Sequence, residues 1–262
     1  MLSQNNLRDY LRFARQTAVG AGNLLLKKAN KHNRVSFKGR INLVTEADLA
    51  SERYIIKAIE KKFPNHSILA EEESAKNKAS EFKWIIDPLD GTTNFAHGFP
   101  FYCVSIALEY RGEIILGVVY DPQREELFHA TIGGGSFLNG KKIHVTEETK
   151  LSRALLATGF PYDIGSSNED NLKNFARFAK VARGIRRPGS AALDLCYLAC
   201  GRIDGFWELK LSPWDTAAGK LIVEEAGGKV TDFNGEKYFI YGKYILASNG
   251  RIHNQMKRIL SL

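Results

Sequence analysis

Cysteine is scarce in this sequence. Cys103, Cys196 and Cys200 are its three, too few for a disulfide framework and in keeping with a reducing compartment. Cys196 and Cys200 stand four apart in an apolar helical pattern, so they share a helix face and could touch a metal, but no histidine falls at a supporting spacing. Small hydrophobes packed in a core are the simpler reading. Long apolar runs are missing too: none reaches the roughly 18 residues that a membrane-spanning helix needs. Met1 to Gly20 is broken by Arg8, Asp9, Arg12 and Arg15, which leaves no uninterrupted signal-peptide core. The expected location is the cytoplasm, with no membrane partner. There is no internal repeat, low-complexity tract or Pro/Gly/Ser linker, and no Cys/His finger, glycine-and-aromatic RNA-binding strand or basic heptad region.

What is present is an ordinary globular composition over 262 residues, 44% hydrophobic and 25% charged. That length suits one unit over 1–262, with a seam expected near 135–155 after Gly133-Gly134-Gly135. The formal charge of +8 favours anionic partners, nucleic acid or a phosphorylated small molecule. Lys27, Lys28 and Lys31, and Lys57, Lys61 and Lys62, read as solvated faces.

Leu7, Leu11, Ala14, Ala18 and Ala21 predict a long amphipathic helix, and Ala47 to Lys62 predicts a second. Thr45 is placed to cap the second, Asp48 makes an imperfect capping box, and Pro64 closes it. Strands are expected at 67–70, 83–86, 101–110 and 113–120, the last two forming a hairpin through Arg111-Gly112. Beyond residue 135, strands at 154–158, 203–209, 229–232 and 244–247 alternate with helices at 171–182, 191–200, 213–226 and 252–260. This pattern predicts an α/β class built from helices layered on sheets.

The densest chemistry lies in Trp84-Ile-Ile-Asp-Pro-Leu-Asp-Gly-Thr-Thr-Asn-Phe95. An apolar strand is expected to end there in a turn, fixed by Pro88 and freed by Gly91, that crowds Asp87 and Asp90. Like charges about 4 Å apart repel by roughly 4 kcal/mol at an effective dielectric of 20, and a divalent cation would remove that penalty. Hard cations such as Mg²⁺ choose carboxylate and carbonyl oxygens. Asp-Gly-Thr-Thr is equally a helix N-cap sequence, and both readings stay open on this turn alone. Glu71-Glu72-Glu73 follows a strand but also suits solvent. Asp215, just after Pro213, is favoured in a helix's first turn without any function.

Taken together, Asp87-Pro-Leu-Asp-Gly-Thr-Thr-Asn, Glu71-Glu72, Asn42-Leu-Val-Thr-Glu-Ala-Asp48 and Trp214-Asp215-Thr-Ala-Ala-Gly resemble the inositol monophosphatase family. The motifs appear in that family's order, over roughly Leu7 to Leu260. The resemblance implies alternating layers of paired helices and two β-sheets, an αβαβα sandwich of the sugar-phosphatase kind. It implies a phosphatase that uses two or three Mg²⁺ per site, with Mn²⁺ able to substitute. Glu71, Asp87, the Leu89 carbonyl, Asp90 and Asp215 become metal ligands, with the third, weaker ion leaning on Glu71 and water. Two cations about 4 Å apart activate water and clamp phosphate. Thr92, paired with Asp48, would orient the attacking water, and the N–H groups of Gly91 and Thr92 would hold phosphate oxygens.

For the organic part of the substrate the resemblance points to Asp90, Gly189, Ser190, Ala191 and Glu208, with the carboxylates accepting from ring hydroxyls. Read without it, Gly189-Ser190 is another helix cap and Glu208 a strand end. Asn42 stands where many relatives carry Asp, and the loop at Lys38-Gly39-Arg40 looks slightly short. Gly159-Phe160-Pro161-Tyr162-Asp163 resembles bacterial members. Thr93-Asn94-Phe95 favours inositol 1-phosphate, with fructose 1,6-bisphosphate as the alternative. A homodimer and inhibition by Li⁺ are implied as well. Binding of RNA or a transcription partner on the same scaffold is the reading from another class, more plausible as a second function than a sole one.

Overall fold

Three patches of buried apolar side chains hold five layers together, the largest of them reaching both sheets through the helices between them. The computed structural model describes residues 4–29, 35–38, 42–72, 76 and 78–261, with the backbone alone at 4, 35–38 and 42–45. The expected features at Lys31, Gly39, Arg40 and Glu73, and the side chains of Lys38, Asn42 and Thr45, therefore lie outside the described residues.

In chain order the elements begin with α1 (Gln4–Ala29), the strands β1 (Val35–Lys38) and β2 (Asn42–Thr45), and α2 (Glu46–Lys62). Then come β3 (Ser67–Ala70), β4 (Phe82–Asp90), the short α3 (Thr92–Ala96), β5 (Cys103–Tyr110), β6 (Glu113–Asp121), β7 (Glu126–Thr131), β8 (Gly135–Leu138) and β9 (Lys141–Lys142). The rest of the chain alternates: β10 (Leu155–Thr158), α4 (Leu172–Ala179), β11 (Gly184–Arg186), α5 (Ala191–Ala199), β12 (Gly205–Leu209), α6 (Pro213–Glu225), β13 (Lys229–Thr231), β14 (Tyr244–Ser248) and α7 (His253–Leu260).

Strands β3 to β9 form one seven-stranded sheet in sequence order, antiparallel except for the β3–β4 pair. The second sheet has the order β11-β10-β12-β14-β13. Helices α1 and α2 cover the outer face of the first sheet, where Ala14, Ala18, Leu25, Ile55 and Ile59 meet Trp84, Ile86, Leu108 and Val118. Helices α5 and α6 fill the space between the sheets, and α4 and α7 cover the second sheet with Phe178 and Met256 against Trp207 and Leu246. This is the αβαβα sandwich.

Both faces of the first sheet are buried, so its strands read as nearly continuous apolar runs rather than alternating ones. Successive residues still point to opposite sides: Trp84 and Ile86 belong to the outer core and Ile85 to the inner one. Gly117 in β6 is where α6 comes closest, since a Cβ there would sit 2.7 Å from the Ala218 carbonyl oxygen. Cys196 is buried in the inner core and Cys200 caps the end of α5 with its thiol on the Tyr197 carbonyl, so this pair packs as small hydrophobes.

Candidate active site

The expected turn after Ile86 is instead the bulged end of a strand. Strand β4 runs on through Asp90, with Asp87 opposite Ser105 and Asp90 opposite Cys103. Three residues on β4 span what two span on β5, so one extra residue is inserted. Without it, Asp87 and Asp90 would face opposite sides of the sheet, because side chains alternate with a period of two. The bulge turns both toward the inner layer, where the start of α6 brings Asp215. Ligand oxygens of Asp87, Asp90 and Asp215 lie within 4.8 Å of one another.

The helix-cap reading of this segment needs a different form. Gly91 is the N-cap of α3, in a left-handed conformation (φ 96°), and no side chain caps that helix. Asp90 reaches a different helix, a hundred residues along the chain: its Oδ2 accepts from Ser190 Oγ at 2.6 Å and from the Ala192 N–H at 2.8 Å, at the start of α5. Asp215 does close a capping box, accepting from the Ser212 N–H at 2.7 Å. Asp87 accepts from the Leu89 N–H at 3.0 Å. A carboxylate offers about four lone-pair sites, so fixing the backbone and holding a cation are compatible tasks.

The electrostatics of the cluster are unfavourable as they stand. Burial, and then the charges of Glu71, Asp90 and Asp215, push the Asp87 carboxyl well above its ordinary range. Burial raises Asp215 as well, with Asp90 next in effect. Asp90 is pushed up to about 6 by burial, against the pull of Ser190 and the α5 amides. The side-chain charges acting most strongly on Asp87 are all acidic. An all-oxygen, acidic, largely desolvated set of this kind fits a hard divalent cation.

Around this cluster, Thr92 Oγ1 lies 2.9 Å from Asp48 Oδ1 and 3.1 Å from the Leu89 carbonyl oxygen. One hydroxyl proton serves one acceptor at a time, and the buried Asp48 carboxylate is the stronger. Asp48, expected as part of a capping box, is thus turned toward Thr92. Glu71, half-buried just past β3, lines the same cavity and acts on Asp87 through its charge, but stands outside the three-carboxylate group.

The cavity measures about 320 Å³. Leu89, Gly91, Thr92, Gly189, Ser190, Ala191 and Glu208 all line it, so every residue expected at the site except Asp48 opens on one space. Gly189 is left-handed (φ 91°), and Asn94 Nδ2 pins the segment before it by donating to the Pro188 carbonyl at 2.8 Å and to that of Phe101 at 2.7 Å. Gly159 leaves room for Glu208, because a Cβ there would fall 2.1 Å from Glu208 Oε1. Glu208 is pushed up to about 8 by burial and by Asp90, with Arg187 opposing.

Besides Leu211, four lining residues with polar groups went unnoticed in the sequence: Tyr162 as an individual side chain, Arg187, Asp194 and Lys210. Tyr162, largely exposed where it lines the cavity, has its phenol raised by partial desolvation and by the charges of Glu71, Asp90, Asp215 and Asp87. Lys210 ties down the Tyr162 segment by donating to Asp163 at 2.7 Å and Ser167 at 2.7 Å. Asp194 had a signal, a lone acid in the apolar run Ala191-Ala-Leu-Asp-Leu-Cys196.

The description that matches this chain over residues 6–261 is "Inositol monophosphatase family". The chain belongs to the inositol monophosphatase family. It is 41% identical to the inositol-1-monophosphatase of Synechocystis over 100% of its own length and 92% of that protein's. It is also 43% identical to the Nus factor SuhB of Pseudomonas aeruginosa, over 93% and 92% of the two chains. Among solved structures, the inositol monophosphatase of Anabaena superposes with a TM-score of 0.89 at 43% identity, covering 98% of this chain and 96% of the other. An inositol monophosphatase family protein is a phosphoric monoester hydrolase, and the acidic cavity is the place in this one for that chemistry. No described helix is long and apolar enough to cross a membrane.

Proposed function

We propose that the protein hydrolyses inositol 1-phosphate, or a closely similar polyol monophosphate, by direct attack of water with Mg²⁺ as cofactor. The observation that carries this reading is the convergence of Asp87, Asp90 and Asp215 within 4.8 Å in a cavity that also holds polyol-sized space. Those three carboxylates, the Leu89 carbonyl and Glu71 would hold two or three Mg²⁺, or Mn²⁺ in their place. When bound, the ions supply charge neutralisation for the phosphate and a lowered water pKa.

The remaining work falls to the chain. Thr92 Oγ1, with its proton directed to Asp48, presents its lone pairs to the attacking water, aligns it, and offers a path for its proton toward Asp48. The backbone N–H groups of Gly91 and Thr92, at the opening of α3, hold phosphate oxygens. Gly189, Ser190, Ala191 and Glu208 shape the polyol end, and Tyr162 limits water over the acids.

Phosphate release from inositol 1-phosphate and fructose 1,6-bisphosphate, measured side by side with Mg²⁺ and again with a chelator, tests the proposal. Faster turnover of the monophosphate, abolished by the chelator, is expected; the bisphosphate is the alternative substrate. Preference for a 3'-phosphonucleotide would sink both. Cytoplasmic residence, a homodimer and inhibition by Li⁺ belong to the same reading, and sedimentation and a Li⁺ titration check the last two.

A second function is favoured by two observations, the charge of +8 and the Nus factor SuhB name of the Pseudomonas relative. On that reading the enzyme also binds RNA or a transcription partner. A filter-binding salt titration with RNA decides the nucleic-acid form: log affinity falls steeply with log salt if several phosphates are contacted.

A further inference from the structure

Eight acids are buried among the described residues: Asp48, Glu52, Asp87, Glu109, Asp121, Asp194, Asp204 and Glu208. Six of them accept hydrogen bonds from the protein. The two that meet no described donor are Asp194, 2% exposed on the first turns of α5, and Glu208, 8% exposed on β12. Both line the catalytic cavity, as does Arg187, and the charge of Glu208 acts on Asp194. Burying a carboxyl without a donor costs several kcal/mol on transfer scales, and buried polar groups are ordinarily partnered. Two such acids opening on one cavity are therefore acceptors whose donors arrive from that cavity, water in the free protein and a ligand's hydroxyls when one is bound. Neither belongs to the group formed by Asp87, Asp90 and Asp215, although the charge of Asp90 acts on both.

Neighbouring hydroxyls of a polyol are donors of the right kind, each O–H able to give a proton to one carboxyl oxygen. A second phosphate is the wrong kind, because it brings acceptors and like charge to two acids. We infer that Asp194 is a substrate-binding residue which, with Glu208, accepts from two adjacent hydroxyls and so selects a polyol end over a second phosphate, an inference that rests on the phosphatase reading above. Arg187, exposed at the rim, opposes part of the acidic field on both residues.

The test uses the full-length enzyme as wild type, Asp194→Asn and Asp194→Ala. Asp194→Asn keeps the shape and removes a buried charge, so its folding is expected to be intact by circular dichroism and thermal melting. Steady-state kinetics are compared on inositol 1-phosphate and on phenyl phosphate, which has no hydroxyl to offer. KM for inositol 1-phosphate should rise about ten- to hundredfold in both variants, as for a hydrogen bond to a charged group. KM for phenyl phosphate should stay within about twofold, and the preference should move toward fructose 1,6-bisphosphate. An unchanged KM for inositol 1-phosphate, or an equal loss on phenyl phosphate, overturns the inference. Equilibrium binding of inositol itself separates the two readings. If wild type binds inositol more tightly than Asp194→Asn but releases no phosphate, the reaction reading fails and the Asp194 inference stands. If the two bind equally, or neither binds, the Asp194 inference fails.

Discussion

Thr92 and Asp48 meet across 2.9 Å, joining the first turn of α2 to the first turn of α3 at the edge of the acidic cavity. If this contact directs the hydroxyl proton away from the water, Thr92→Ala should lower kcat about a hundredfold and leave KM within a few-fold. Asp48→Asn should behave similarly, since an amide can still accept but no longer attracts a proton. Steady-state kinetics on inositol 1-phosphate check this, and a pure KM effect would count against the role.

Asp87→Asn should remove turnover and raise the thermal stability of the metal-free protein. The pH dependence has a definite sign. Carboxyls raised in the folded state contribute stability at low pH and lose it as pH rises from about 4 through their folded values, which for Asp90 is about 6 and for Glu208 about 8. His129 and His253, both held near 4 by burial, work in the opposite sense below about 6.5. The difference between Asp87→Asn and wild type cancels the histidines. That difference should grow in chelator as pH rises above the ordinary carboxylate range of about 4, because the Asp87 carboxyl is held above that range, and shrink when Mg²⁺ is added, as read by melting temperature.

Asp215 serves α6 and the acidic cluster at once, and two substitutions separate the roles. Asp215→Asn keeps an oxygen for the Ser212 N–H, whereas Asp215→Ala leaves that donor without its side-chain acceptor. Both should be inactive, yet the Asn variant should be more stable by about 1 kcal/mol. Urea unfolding of the two metal-free variants measures the difference, with charge relief common to both.

Gly159→Ala should act on substrate binding. Its methyl would press on Glu208, whose Oε1 lies 2.1 Å from the added carbon, so the carboxyl must turn away. KM for inositol 1-phosphate should rise several-fold, with a much smaller change for phenyl phosphate.

The layered fold was legible because most elements carry complete local signals. The α1 and α2 stripes, the Arg111-Gly112 hairpin and Pro213 at the start of α6 all stand where expected. The strands β1, β2, β7, β8, β9 and β11 were missed: all but β7 have only two to four residues, too few for a pattern to declare itself, and β7, buried on both faces, gives no alternation. At Asp87 to Asp90 the local residues pointed to a turn, and only pairing with Cys103 and Ser105 shows a bulge. The alternative of cap or metal ligand could not be resolved locally, because the helix that Asp90 joins is distant in sequence. Asp194 illustrates the converse: an acid in an apolar helix was visible, but its meaning depends on Glu208, which lines the same cavity.

The tie between Asp90 and the start of α5 has a consequence for the order of assembly. Its partners are a hundred residues apart, one on the first sheet and one on the helical layer between the sheets, so the acidic cluster exists only after α5 and α6 have docked on that sheet. A cation held there binds the docked state alone, and it acts as a removable crosslink between the first sheet and α6. At a thousand times its dissociation constant such an ion adds about 4 kcal/mol to the folded state. Cation supply would then govern how long the assembled molecule survives, as well as how fast it turns over.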